Sequence, residues 1–149
     1  MNKALIIFGT TTGNTESMSE IIEQALVDVG CETEVKNVVD AQVSDLTAEH
    51  DVLLLGCAAY GEDTIELQDD FDEFYQQLDG TQLNGKKVAV FAPGDSSYEY
   101  FCGSVDMLEE KMEDLGGELV TSGLKIDGDP DDSKDEIVAW ANSIAESIA

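Results

Sequence analysis

Three stretches of this chain, Ala4–Phe8, Val52–Cys57 and Val88–Ala92, are nearly continuous runs of Val, Ile, Leu, Phe and Ala. A strand with one wet face alternates apolar and polar residues. A strand that reads apolar throughout is buried on both faces, as in a parallel sheet covered by helices. Two further β-rich runs, Thr33–Val38 and Glu118–Leu124, complete a set of five. Helical periodicity fills the gaps. Met18, Ile21, Ile22, Ala25, Leu26 and Val29 follow the i, i+3, i+4, i+7 stripe, with Gly30 at the stop. A short helical turn is expected over Ser44–Glu49. Phe71, Phe74, Tyr75 and Leu78 mark a second helix, and Val105, Leu108, Met112 and Leu115 another, ended by Gly116-Gly117. The last starts at Asp129-Pro130, an N-cap followed by Pro at the first position, and runs past Ile137, Trp140, Ala141, Ile144 and Ile148. Trp140 reads as core packing. Alternating strands and helices predict an α/β protein, a doubly wound five-stranded parallel sheet between two helical layers. Residues 1–149 read as one domain, without linker or repeat.

Ligands of such sheets bind where the carboxyl ends of the strands open, so the loops after the first, third and fourth strands carry the chemistry. The first is Gly9-Thr10-Thr11-Thr12-Gly13-Asn14-Thr15-Glu16. It packs four hydroxyls and one Asn into six residues at the mouth of an amphipathic helix. A helix start offers free N–H groups and the positive end of a dipole, and hydroxyls add donors. Together they hold a phosphate without a cation. One helix needs one capping side chain, so Thr10, Thr11, Thr12, Asn14 and Thr15 exceed that need. The loop lacks the Gly-Lys of a P-loop and the GxGxxG of a dinucleotide turn. A terminal monophosphate fits it best.

Charge narrows the function further. Seven Lys, no Arg and 33 acids leave a formal charge of −26. Such a polyanion repels nucleic acid and anionic membrane surfaces. Without Arg, the chain also lacks the usual cationic stabiliser of phosphoryl transfer. Cys31, Cys57 and Cys102 contain no CxxC pair, the N-terminal apolar run is too short for a signal peptide, and a reducing cytoplasm is the expected setting. His50, the one histidine, reads as a surface residue, with no Cys/His cluster to make it a ligand. Cys102 has no neighbouring thiol or base to make it reactive.

Thr10-Thr11-Thr12-Gly13-Asn14-Thr15 resembles the phosphate loop of the flavodoxins, with pattern T/S-x-T-G-N-T. The likeness continues in Leu55-Gly56-Cys57-Ala58-Ala59-Tyr60-Gly61, in Gly94-Asp95-Ser96-Ser97-Tyr98-Glu99-Tyr100-Phe101-Cys102, and in Asp127-Gly128-Asp129-Pro130. It covers essentially the whole chain and points to the short-chain branch. The resemblance implies the strand order 2-1-3-4-5 and a non-covalently bound FMN. It implies a low-potential one-electron carrier, not an enzyme, that cycles between oxidised, neutral semiquinone and anionic hydroquinone forms.

It also implies residue roles. Thr10 to Thr15 would hold the phosphate. Tyr98 would stack on the outer face of the ring and Tyr60 would cover the inner one. Backbone groups of Asp95, Tyr100 and Cys102 would bond its pyrimidine edge. Ala58, Ala59, Gly61, Glu62, Pro93, Gly94 and Phe101 would complete the site. Gly61 would let a neighbouring peptide flip on the first reduction, since glycine reaches positive φ freely.

Tyr60 stands where short-chain members often carry Trp, which bears on the size of the inner contact. Ala92-Pro93 stands where small residues or Cys are common. The acids Glu62, Asp63, Glu66, Asp69, Asp70, Asp72 and Glu73, with Asp95, Glu99, Asp127 and Asp129, would lower the potential of the second electron and steer oxidoreductases with basic patches. A monomer is expected. A small FMN-dependent NAD(P)H reductase of related fold is the alternative, disfavoured because no second nucleotide motif is present. A receiver-type domain would need acids where Gly9-Thr10 and Gly56-Cys57 stand.

Overall fold

The structure is a computed structural model. It describes residues 2–9, 13–57, 59–60, 66–67, 69–94 and 103–148, and for 59, 60, 66, 67 and 69 the backbone alone. In chain order the elements are β1 (Lys3–Gly9), α1 (Asn14–Asp28), β2 (Glu32–Asn37), β3 (Val52–Cys57), β4 (Ala59–Tyr60), β5 (Glu66–Leu67), α2 (Asp69–Gln76), β6 (Lys87–Gly94), α3 (Gly103–Asp114), β7 (Glu118–Leu119), β8 (Leu124–Asp127) and α4 (Lys134–Ile148). Short 3₁₀ turns cover Val38–Asp40, Val43–Thr47 and Pro130–Ser133.

The main sheet runs β2-β1-β3-β6, with β7 and β8 both pairing β6, all in parallel. Taken as five positions, this is the order 2-1-3-4-5. A small antiparallel pair, β4 with β5, stands apart from it.

The apolar runs are explained by two cores. On one face Leu5, Ile7, Leu53, Leu55, Val88 and Val90 meet Phe71 and Phe74 of α2 and Val105, Leu108 and Met112 of α3. On the other, Ala4, Ile6, Val52, Leu54, Ala89 and Phe91 meet Met18, Ile22 and Leu26 of α1 and Ile137, Trp140 and Ile144 of α4. Successive strand residues point to opposite faces, and here both faces are covered. Gly56 lets this packing close, because a Cβ there would lie 2.2 Å from the Phe91 ring. That ring in turn meets Trp140 edge-on at 6.0 Å.

Three expectations are modified. The fifth strand is not continuous over 118–124. It breaks at residues 120–123 and resumes to Asp127. Two side chains hold the break: Trp140 Nε1 donates to Ser122 O at 2.9 Å, and Gly123 N donates to the Glu109 carboxylate at 3.1 Å. Asp129 does cap a turn with Pro130 at its start, accepting from Asp131 N. That turn is 3₁₀, and α4 proper begins at Lys134.

His50, expected on the surface, is half-buried in a polar network at the amino end of the sheet. Lys86 Nζ approaches its Nδ1 at 3.0 Å and also donates to the carbonyls of Ala48 and His50. An ammonium can only donate, so Nδ1 accepts and Nε2–H donates to Asp45 O at 3.0 Å. Lys36 pairs with the Asp45 carboxylate at 3.2 Å.

Candidate functional site

β1, β3 and β6 are adjacent and parallel, so their carboxyl ends, Gly9, Cys57 and Gly94, open on one edge of the sheet. Each leads straight into one of the three loops singled out in the sequence. Of the site residues named there, Thr10, Thr11, Thr12, Ala58, Gly61, Glu62, Asp95, Tyr98, Tyr100, Phe101 and Cys102 lie outside the described residues, as do the side chains of Ala59 and Tyr60. The backbone of Ala59 and Tyr60 pairs antiparallel with Leu67 and Glu66 directly after β3.

The start of α1 is described. Gly13 is its N-cap, in the left-handed region at φ 95°, and supplies no side-chain cap. That φ favours glycine over any residue with a Cβ. Thr15 follows in the first turn, 1% exposed, and its Oγ1 is buried without a hydrogen-bond partner. A buried hydroxyl left unpaired costs ~1–3 kcal/mol, so natural proteins seldom leave one without a reason. Asn14 beside it is exposed. A hydroxyl and a helix start with no capping side chain form a donor set that suits a phosphate. The phosphate of FMN therefore fits the described residues of this turn.

At the β6 end, Pro93 is buried and Gly94 half-buried. They register against Ile126 and Asp127 of β8, and Gly128 N donates to Gly94 O at 2.9 Å. Between the β3 and β6 ends, Ser104 Oγ donates to Cys57 O at 2.6 Å, with both residues fully buried. Sequence reasoning missed Ser104, since nothing in one isolated Ser near a helix start announces a partner 47 residues away.

Acids crowd this end of the fold. Asp70, Asp72 and Glu73 on α2 are exposed, as are Asp127 and Asp129. Lys125 pairs with Asp106 at 3.1 Å. Lys3, Lys86 and Lys87 sit at the opposite, amino end of the strands. Among the described residues no cluster of His, Cys, Asp and Glu could hold a metal ion. No helix among them is long and apolar enough to cross a membrane.

The family model for flavodoxin matches residues 6–140. The chain belongs to the flavodoxin family. A flavodoxin of Maridesulfovibrio salexigens is 49% identical over 148 residues, covering 99% of this chain and 100% of the relative. A flavodoxin of Nitratidesulfovibrio vulgaris is 39% identical over the same shares. Among solved structures, oxidised Flavodoxin 1 from Bacillus cereus superposes with a TM-score of 0.91 at 31% identity, covering 99% of this chain and 100% of that one. As a flavodoxin, the chain is an FMN-binding electron-transfer protein that works with redox partners, and it is not an enzyme.

Proposed function

We propose that the FMN phosphate is held at the start of α1 by Thr10, Thr11, Thr12, Gly13, Asn14 and Thr15, with no cation. The observation that carries this reading is the buried, unpartnered Thr15 Oγ1 at a helix N-terminus whose cap lacks a side chain. In this reading the ring lies over the edge where β3 and β6 end, between Tyr60 and Tyr98, whose aromatic faces suit a flat π-system. Ala58, Ala59, Gly61 and Glu62 line it from one loop. Pro93, Gly94, Asp95, Tyr100, Phe101 and Cys102 line it from the other.

FMN supplies one-electron chemistry; the chain binds it, excludes water from one face and sets the surrounding charge. The acids on α2 and around Asp127 and Asp129 would disfavour further negative charge on the ring, giving a low potential. The same acids would draw oxidoreductases with basic docking patches into short-lived complexes. The carrier would work as a monomer of one domain in the cytoplasm. Cys31 and Cys57 are both buried, which suits thiols kept in a reducing compartment.

Titration of the apoprotein with riboflavin 5′-phosphate and with riboflavin tests the reading. Tight yellow binding of the first, much weaker binding of the second, and a blue colour on partial reduction are expected. A folded protein that binds both equally would remove the phosphate site from its place.

A further inference from the structure

We propose that Ser104 is a positioning residue for the flavin loops: its hydroxyl ties the carboxyl end of β3 to the first turn of α3 and so fixes the two ring-bearing loops against each other. The inference rests on the site reading above and adds to it a residue that touches neither ring nor phosphate. Three observations carry it.

The first is where the ladders stop. β3 pairs with β1 as far as Gly9↔Cys57, but with β6 only as far as Gly56↔Phe91. Just past that last register pair, Ser104 Oγ donates to Cys57 O at 2.6 Å. The second is burial. Ser104 and Cys57 are both 0% exposed, so water cannot stand in for either partner. The third is connectivity. Cys57 is the residue before the 58–61 segment, and Ser104 is two residues past the 95–102 segment. Cys57 also registers with Gly9, the residue before Thr10. One hydrogen bond thus joins the anchors of both ring loops beside the root of the phosphate loop. Ser104 lies in the first turn of α3, where a serine can cap its own helix. Here the hydroxyl is spent on a carbonyl 47 residues away instead.

The test compares the wild type, Ser104→Ala and Ser104→Cys, the thiol being a similar volume but a weaker donor. Dissociation constants for FMN, riboflavin and inorganic phosphate are measured on each apoprotein, and the one-electron midpoints on each complex. The expected result is a three- to tenfold loss for FMN and riboflavin alike in Ser104→Ala, a smaller loss in Ser104→Cys, and unchanged binding of inorganic phosphate. The first midpoint moves as well, since a threefold preference between oxidation states is about 30 mV for one electron. A residue that merely stabilised the fold would lower the unfolding temperature and leave these ratios and the midpoint alone. Folded variants with wild-type riboflavin affinity and midpoints would overturn the proposal. Should Ser104→Ala not fold, Ser104→Cys decides by the same readings. A wild type that binds no FMN would instead refute the site reading itself.

Discussion

Replacing Thr15 by Val separates what its hydroxyl costs the free protein from what it does for the cofactor. The two side chains have nearly the same shape, both are β-branched, and both suit the first turn of α1. Thr15 is 1% exposed and its Oγ1 has no partner. In the apoprotein the hydroxyl is therefore a desolvated group without compensation, worth ~1–3 kcal/mol against folding. Removing it should stabilise the apoprotein by about that amount. For a chain of this size each kcal/mol corresponds to roughly 2–4 °C in unfolding temperature, so a rise of several degrees is expected.

Binding should move the other way. A hydrogen bond to a charged phosphate oxygen contributes ~1.5–3 kcal/mol, which is about a ten- to hundredfold loss of FMN affinity. Riboflavin lacks the phosphate, and its affinity should not change. Thermal unfolding of the apoprotein and fluorescence titrations with both flavins read all three numbers. An apoprotein destabilised by Thr15→Val, or an equal loss for FMN and riboflavin, would refute the reasoning.

Other perturbations reach other parts of the argument. Gly56→Ala places a Cβ 2.2 Å from the Phe91 ring, between β3 and Trp140; overpacking of this kind costs ~1–3 kcal/mol, read as a lower urea midpoint. Burial, with the Lys86 ammonium facing Nδ1, lowers the His50 pKa below its ordinary value. The unfolded chain then binds a proton that the folded chain refuses, so His50 contributes stability above about pH 6.5 that is lost as pH falls through its depressed folded value. The lone imidazole can be followed by proton NMR beside the urea midpoint, and a His50→Gln variant should lose that slope. A charge ~10 Å from the ring contributes roughly 0.4–1.7 kcal/mol at effective dielectric constants of 80 to 20. Several acids would therefore lower the second midpoint by on the order of 100 mV. That midpoint should rise with ionic strength, and a potential independent of salt would contradict the electrostatic part.

Much of this protein is legible in one dimension, because burial leaves a periodic trace. The runs at Ala4, Val52 and Val88 could be placed as strands within two residues, since residues 4–7, 52–55 and 88–92 fall alternately into one core and the other. The stripe Met18–Leu26 marked α1, and positive φ at Gly30 and Gly116 follows helix ends that the sequence already showed. The hydroxyl-rich turn carries the proposed phosphate site in the same way, because a phosphate needs many donors close together in sequence.

Contacts between distant segments leave no such trace. The break in the fifth strand is held by Trp140 on α4 and Glu109 on α3, neither adjacent to it in the chain. His50 reads as a surface residue until Lys86, 36 residues on, reaches its Nδ1. Ser104 is an ordinary residue until the sheet brings Cys57 beneath it. Local pattern states whether a residue is to be buried; which group it then meets depends on which strands and helices lie side by side, and that is a property of the folded molecule alone.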